Sequence, residues 1–268
     1  MSRIAFFSIP AHGHTNPTVE VVRTLVERGH RVRYYSFEEF RARLEDAGAE
    51  FVPCDSYLPP APRDVERRIG RDFASLIGMV VDVTAAMEER VLGELAAFRP
   101  HCIVADSLCI WGKLYAGRLG IPLVCSTTTF AFDQVTARGM RPRPRELLRT
   151  LAGVPRIGEK LALLRAHGYR AEKLTDLIQN DSGTDTIVYT SRAFQPGGER
   201  FGERVAFVGP VLPELPAPAE RGNRPLIYVS LGTVMNRNAR FYRNCAEALG
   251  GGPWDVLMSV GSGEQAAA

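Results

Sequence analysis

Residues 3–36 read RIAFFSIPAHGHTNPTVEVVRTLVERGHRVRYYS, and the fold is decided there. Arg3 to Ile9 is an apolar run of strand length. Pro17 to Arg28 carries apolar residues at helical spacing, Gly29 supplies a stop, and Arg31 to Ser36 is again strand-like. A strand, a helix and a second strand in such a short span form a βαβ unit, whose crossover helix joins parallel strands. Pro17 suits the first turn of its helix, where its missing N–H would have no partner in any case.

The same alternation extends outward. Glu38 to Ala47 reads as a helix and Glu50 to Pro53 as a strand. A proline-rich connection, Leu58 to Pro62, leads to a helical region from Val65 to Phe98. Its residues Phe73, Leu76, Ile77, Val80, Val81, Val91, Leu92 and Leu95 make a core-facing stripe. Strand Cys102 to Ala105 runs through Asp106 into a helix ending near Gly120, and Ile121 to Ser126 is the next strand. Residues 146–180 read as helices, with Thr186 to Tyr189 and Val205 to Val208 as two further strands. The fold class is α/β with a parallel sheet.

Gly209 to Arg224, GPVLPELPAPAERGNR, is rich in proline, offers little that could pack, and reads as a linker. The pattern then restarts with strand Leu226 to Leu231, helix Ala239 to Leu249 and strand Trp254 to Val260. The expected organisation is a first domain at 1–208, a linker at 209–224 and the beginning of a second domain at 225–268.

Composition narrows the function classes. A chain of 268 residues with 45% hydrophobic residues and a mean hydropathy near zero can build a real core. The 33 basic and 30 acidic residues leave a net charge of +3, too weak a field for nucleic acid. The dense basic stretch Arg138 to Arg149 is broken by Pro142 and Pro144 and has no aromatic platform beside it. Five cysteines without a C-x-x-C pair, several inside strand-like runs, fit a reducing cytoplasm. The apolar run Ile4 to Ile9 lacks a cleavage site, and Phe73 to Met87 contains Asp82, so neither secretion nor membrane insertion is expected.

Two places could carry chemistry. Ile9 to Pro17 places His12 and His14 where the first strand hands over to the first helix, the sheet edge at which ligands bind in open α/β folds. An imidazole there could take a proton from a hydroxyl as that oxygen attacks. Histidines that merely close the loop by hydrogen bonds are the alternative. Asp106 ends a strand of the same sheet and could reach that loop, fixing one imidazole tautomer. As an alternative, which position alone favours, Asp106 caps the helix at 108–119.

The segment FFSIPAHGHTNPTVEVVRTLVERGHRV at 6–32 closely resembles the opening of family 1 glycosyltransferases, the bacterial macrolide glycosyltransferases in particular. The likeness continues through YYSFEEF at 34–40 and CIVADSLCIWGKLYAGRLGIPLVCSTTTFAF at 102–132. VYTSRAFQP at 188–196, FVGP at 207–210 and LIYVSLGTV at 226–234 carry it further. The resemblance implies the GT-B fold: a complete N-terminal Rossmann-like domain that binds acceptor, then the beginning of a second that binds nucleotide sugar. It implies an inverting transferase in which His14 is the general base and Asp106 its orienting partner, while His12 has no catalytic part. The acceptor would be a hydrophobic small molecule such as a macrolide or phenolic, the donor UDP-glucose, with no cofactor and no metal.

By the same resemblance, Gly13 and the strand end with Ser230, Gly232 and Thr233 contact the diphosphate, through backbone amides and hydroxyls. Trp111, Phe130, Phe132 and Met140 are the acceptor-lining candidates. The family's histidine- and glycine-rich donor signature should lie beyond residue 268. The expectation is therefore a chain shortened in its donor domain, which if active has its missing half in a second polypeptide or a deleted segment, or retains weak donor binding in the shortened domain. A non-catalytic acceptor-binding remnant is the alternative. Gly261 to Ala266 matches a G-x-G-x-x-A dinucleotide fingerprint, yet neither the helix nor the later acidic residue that this motif needs follows it.

Overall fold

The computed structural model describes residues 1–57, 73–132, 144–173, 177, 183–212, 223–232 and 238–261. Outside the described residues lie 58–72, which hold the whole proline-rich connection and the start of the long expected helix. Met140, Thr233, linker residues 213–222 and most of the Gly261 to Ala266 motif also lie outside them. The chain forms two compact units, Met1–Leu212 and Pro213–Ala268, and the division falls inside the Gly209 to Arg224 segment.

The first unit is built on a seven-stranded sheet in the order β3-β2-β1-β4-β5-β6-β7, every neighbouring pair parallel. Its strands are β1 Arg3–Phe7, β2 Arg31–Ser36, β3 Glu50–Pro53, β4 Cys102–Asp106, β5 Leu123–Thr127, β6 Asp185–Val188 and β7 Val205–Phe207. The helices are α1 His12–Glu27, α2 Arg41–Asp46, α3 Phe73–Phe98, α4 Ile110–Leu119 and α5 Pro144–Ala166. Parallel strands need crossovers, and the helices on both faces supply them.

Period-2 alternation divides the core into two layers. Phe6 and Tyr34 face one side, stacked with ring centroids 5.3 Å apart, and pack with Val19, Val22, Phe40 and Leu44. Phe7 and Tyr35 face the other at 4.4 Å and pack with Ile77, Val81, Val91, Leu95 and Tyr115. The apolar stripe of α3 is thus core wherever its side chains are described. Burial pushes the thiol of Cys54 up to about 12, so it serves as a small hydrophobe rather than a nucleophile.

Two of the boundaries that differ from the sequence expectation lie at the sheet edge that matters. Helix α1 starts at His12, not Pro17: the N–H groups of His14 and Thr15 both reach the Ala11 carbonyl, at 2.9 and 3.0 Å. Pro17 sits one turn inside, where its missing N–H removes the bond that would reach the carbonyl of Gly13. The second difference concerns Asp106, which is the last residue of β4 rather than a helix N-cap. Helix α4 begins at Ile110 with Cys109 in the cap position.

Glycine is required by geometry at Gly29, whose φ of 81° ends α1 while its N–H bonds the Val26 carbonyl. Gly112 is required by space. A Cβ there would lie 2.9 Å from the Cβ atoms of both Ala105 and Phe7, on the two strands beneath α4. Neither neighbour is the far end of a flexible chain, so Gly112→Ala should force α4 off the sheet at a cost of about 1–3 kcal/mol. Thermal unfolding checks this: a midpoint several degrees lower is expected, and an unchanged midpoint would contradict the close packing.

In the second unit β8 Leu226–Ser230 and β9 Asp255–Ser259 pair in parallel, with α6 Ala239–Leu249 between them in sequence. The side chain of Asn238 caps α6 by accepting the N–H of Phe241 at 3.1 Å. Tyr228 and Leu257 are partners in the register of this pair.

Candidate active site

The strand order reverses direction at β1: the chain moves first to β2 on one side and later to β4 on the other. A crevice outside the carboxyl ends of the strands opens at such a switch point. His14 comes to this edge of the sheet from the first turn of α1 and Asp106 from the end of β4. Their side chains meet, with Nδ1 of His14 2.8 Å from Oδ2 of Asp106. The carboxylate side chain is 1% exposed and the imidazole 13%, so the pair has one buried and one solvent-facing member.

Asp106 is held at every polar atom that bears on this contact. Its Oδ1 accepts the N–H of Leu108 at 2.8 Å, and its own carbonyl accepts the N–H of Cys109 at 2.8 Å. A second group reaches the same imidazole nitrogen, the Thr128 hydroxyl, 2.9 Å from Nδ1. A carboxylate only accepts hydrogen bonds, so the contact to Oδ2 places the ring proton on Nδ1 and leaves the Nε2 lone pair free.

Buried hydroxyls brace the turn that carries His14. Thr18 donates to the Thr15 carbonyl at 2.7 Å and meets the phenol of Tyr34, also at 2.7 Å; Ser8 meets the Thr15 hydroxyl at 3.3 Å. Burial, reinforced by the charge of Asp106, raises the phenols of Tyr34 and Tyr189 above the usual tyrosine range, so both stay protonated. His12 points elsewhere: it is exposed and lies edge-on to Phe40, with centroids 5.1 Å apart.

The remaining candidates separate clearly. Gly13 is exposed in the first turn of α1, and a Cβ there would meet nothing within 4 Å. Trp111 is 3% exposed and belongs to the core layer that also holds Phe7 and Tyr115. Phe130 is 42% exposed and leans on Phe194, itself 70% exposed, with centroids 5.6 Å apart. Phe132 is half-buried in the same loop.

Sequence reasoning missed Gln195, which is 3% exposed and clamps that loop. Its Oε1 accepts the N–H of Ala131 at 2.8 Å and its Nε2 donates to the carbonyl of Ala131 at 3.1 Å. In the second unit Ser230 ends β8, its hydroxyl accepts the N–H of Gly232 at 3.2 Å, and Gly232 has a φ of 77°. Among the described residues no three His, Cys, Asp or Glu side chains gather as a metal site. No described helix is long and apolar enough to cross a membrane.

No family profile matches the chain. It is 32% identical over 277 aligned residues to the demethyllactenocin mycarosyltransferase of Streptomyces fradiae, a match covering 98% of this chain and 59% of that one. It is 34% identical over 271 aligned residues to the NDP-glycosyltransferase YjiC of Bacillus licheniformis, covering 97% of this chain and 65% of the relative. The crystal structure of the glycotransferase of kitacinnamycin superimposes with a TM-score of 0.79 at 25% identity, over 98% of this chain and 66% of the other.

The switch-point sheet and these relationships define the fold class, α/β with a seven-stranded parallel sheet that matches GT-B glycosyltransferase structures. The chain's homologues are family 1 glycosyltransferases of Bacillus and macrolide glycosyltransferases of Streptomyces. It spans about three fifths to two thirds of the length of these relatives.

Proposed function

We propose that the chain serves an inverting transfer of a sugar from a nucleoside diphosphate to a hydroxyl of a hydrophobic small molecule, with His14 as general base. The observation that carries this reading is the 2.8 Å contact between His14 and Asp106 at the switch point. With the proton held on Nδ1, Nε2 accepts the proton of the acceptor hydroxyl as its oxygen attacks the anomeric carbon. The bond from that carbon to the diphosphate breaks on the opposite face, and the electron pair leaves with the nucleoside diphosphate. Asp106 keeps the ring oriented and stabilises the imidazolium, as a buried carboxylate does in other imidazole bases.

The donor class follows from the relative described as an NDP-glycosyltransferase, and UDP-glucose is the donor we assign within that class. A macrolide or phenolic acceptor fits the exposed Phe130 and the half-buried Phe132 on the loop that also carries Thr128. Gly13, in the first turn of α1, is assigned to the diphosphate, and Ser230, Gly232 and Thr233 are assigned to it on the resemblance alone. Residues 1–208 are assigned to the acceptor, 209–224 to the linker and 225–268 to the donor side. In the relatives the matching region is part of one longer polypeptide, so the reading calls for no separate partner chain.

Incubating the 268-residue chain with UDP-[¹⁴C]glucose and a panel of macrolide and phenolic acceptors tests it. Labelled β-glycoside is the expected product. Acceptor binding without any labelled product at high protein concentration would favour a binding-only role instead.

A further inference from the structure

The hydroxyl of Thr128 and the carboxylate of Asp106 converge on one atom, Nδ1 of His14, at 2.9 and 2.8 Å. They come from neighbouring strands: Asp106 ends β4 and Thr128 follows β5, and β4 and β5 pair with Asp106 opposite Ser126. One ring proton therefore faces two oxygen acceptors, one charged and one neutral. Among the described residues no protein group is recorded within hydrogen-bond distance of Nε2. Turning the ring over would put a C–H where Nδ1 stands and forfeit both contacts together.

We infer that Thr128 is a positioning residue of the proposed sugar transfer, sharing the Nδ1 proton with Asp106 so that the imidazole is locked with Nε2 free. This rests on His14 being the base. Asp106 alone would fix the tautomer but would act on the ring from one side. The second acceptor restricts rotation about the ring axis, and it gives the imidazolium a further oxygen once Nε2 has taken its proton. Thr128 touches neither the acceptor hydroxyl nor the sugar in this scheme, so it acts only through His14.

The loop is arranged to keep Thr128 there. Ser126 and Thr127, the last residues of β5, are 1% exposed, and Ser126 donates to the phenol of Tyr189 at 3.2 Å. Beyond Thr128, both backbone polar groups of Ala131 are taken by the buried amide of Gln195. The threonine is thus pinned on both sides by groups that have no part in the chemistry.

The test combines Thr128→Val, which keeps the shape and loses the hydroxyl, with Thr128→Ser, which keeps the hydroxyl. Long-range ¹H–¹⁵N correlation spectra of the His14 ring report its tautomer in the whole chain, whether or not product is formed. Wild type and Thr128→Ser should show a protonated Nδ1 and a bare Nε2, while Thr128→Val should keep that tautomer but displace the Nδ1 proton resonance, because the proton then faces Asp106 alone. In the transfer assay Thr128→Val should lose about tenfold in kcat, the size of one hydrogen bond, with KM little changed. Identical His14 spectra in wild type and Thr128→Val would overturn the inference. Asp106→Asn separates the failures: if it alters the His14 spectrum while Thr128→Val does not, Thr128 is dismissed and the dyad stands. If neither variant alters the spectrum, the dyad reading fails as well.

Discussion

Replacing His14 by alanine should lower the rate of sugar transfer by roughly 10²- to 10⁴-fold, the range over which general-base catalysis operates. The loss should fall on kcat, because the imidazole removes a proton only as the new bond forms and adds little to binding before that. Helix α1 should survive: position 14 lies in its first turn, Ala11 supplies the carbonyl that closes that turn, and alanine is a strong helix former. Asp106 keeps the bond from Leu108 at its other oxygen, so the carboxylate is not stripped of partners. Initial rates at saturating nucleotide sugar, beside a melting curve for each protein, check the expectation. A variant that folds and transfers sugar at the parent rate would remove His14 from the chemistry.

The second large effect is expected from Asp106→Asn, for a reason specific to this site. The Leu108 N–H donates to Oδ1 and so selects which atom of the asparagine amide stays oxygen. The amide NH₂ then faces His14 where Oδ2 had been, and it donates to Nδ1 instead of accepting from it. The ring proton moves to Nε2, the atom that should be empty, and the base is blocked without any change of shape. A loss of about 10²- to 10⁴-fold in kcat follows by the same logic that governs carboxylate-to-amide changes behind other catalytic imidazoles. The check is the same rate assay, and the unfolding midpoint should move little. A rate near that of the parent would show that tautomer control by Asp106 is not needed.

Most of the scaffold was legible because its signals are local. The paired strands Arg3–Phe7 and Arg31–Ser36 lie within the strand-length runs read from the sequence, with Phe6 and Tyr34 in one core layer and Phe7 and Tyr35 in the other. Gly29 marks the end of α1 as expected because only a positive φ lets the chain turn there. The start of α1 was misread for an equally local reason. Ala11 has no capping side chain, and Pro17 imitates a first-turn proline although it stands in the second turn. The error has a chemical consequence, since His14 is set on a helix rather than a loop and its ring is held more rigidly than a loop would hold it.

What was not legible depends on contacts between distant segments. Thr128 meets His14 across 114 positions and Gln195 meets Ala131 across 64, and neither residue type announces its partner. Asp106 had two plausible uses in the sequence. The structure shows why they competed: the carboxylate binds a nearby backbone N–H with one oxygen, as a cap would, and His14 with the other. Trp111 and Phe130 looked alike as apolar candidates. Only the packing of α4 on the sheet, with Gly112 pressed against Phe7 and Ala105, puts the first in the core, while the second is left in solvent.

A crystal structure of the chain with an acceptor bound would bear most directly on the role of His14. The reactive hydroxyl should lie about 2.6–3.2 Å from Nε2, with Nδ1 still facing Asp106. A hydroxyl seated against another base, with the His14 ring turned away from it, would contradict that role.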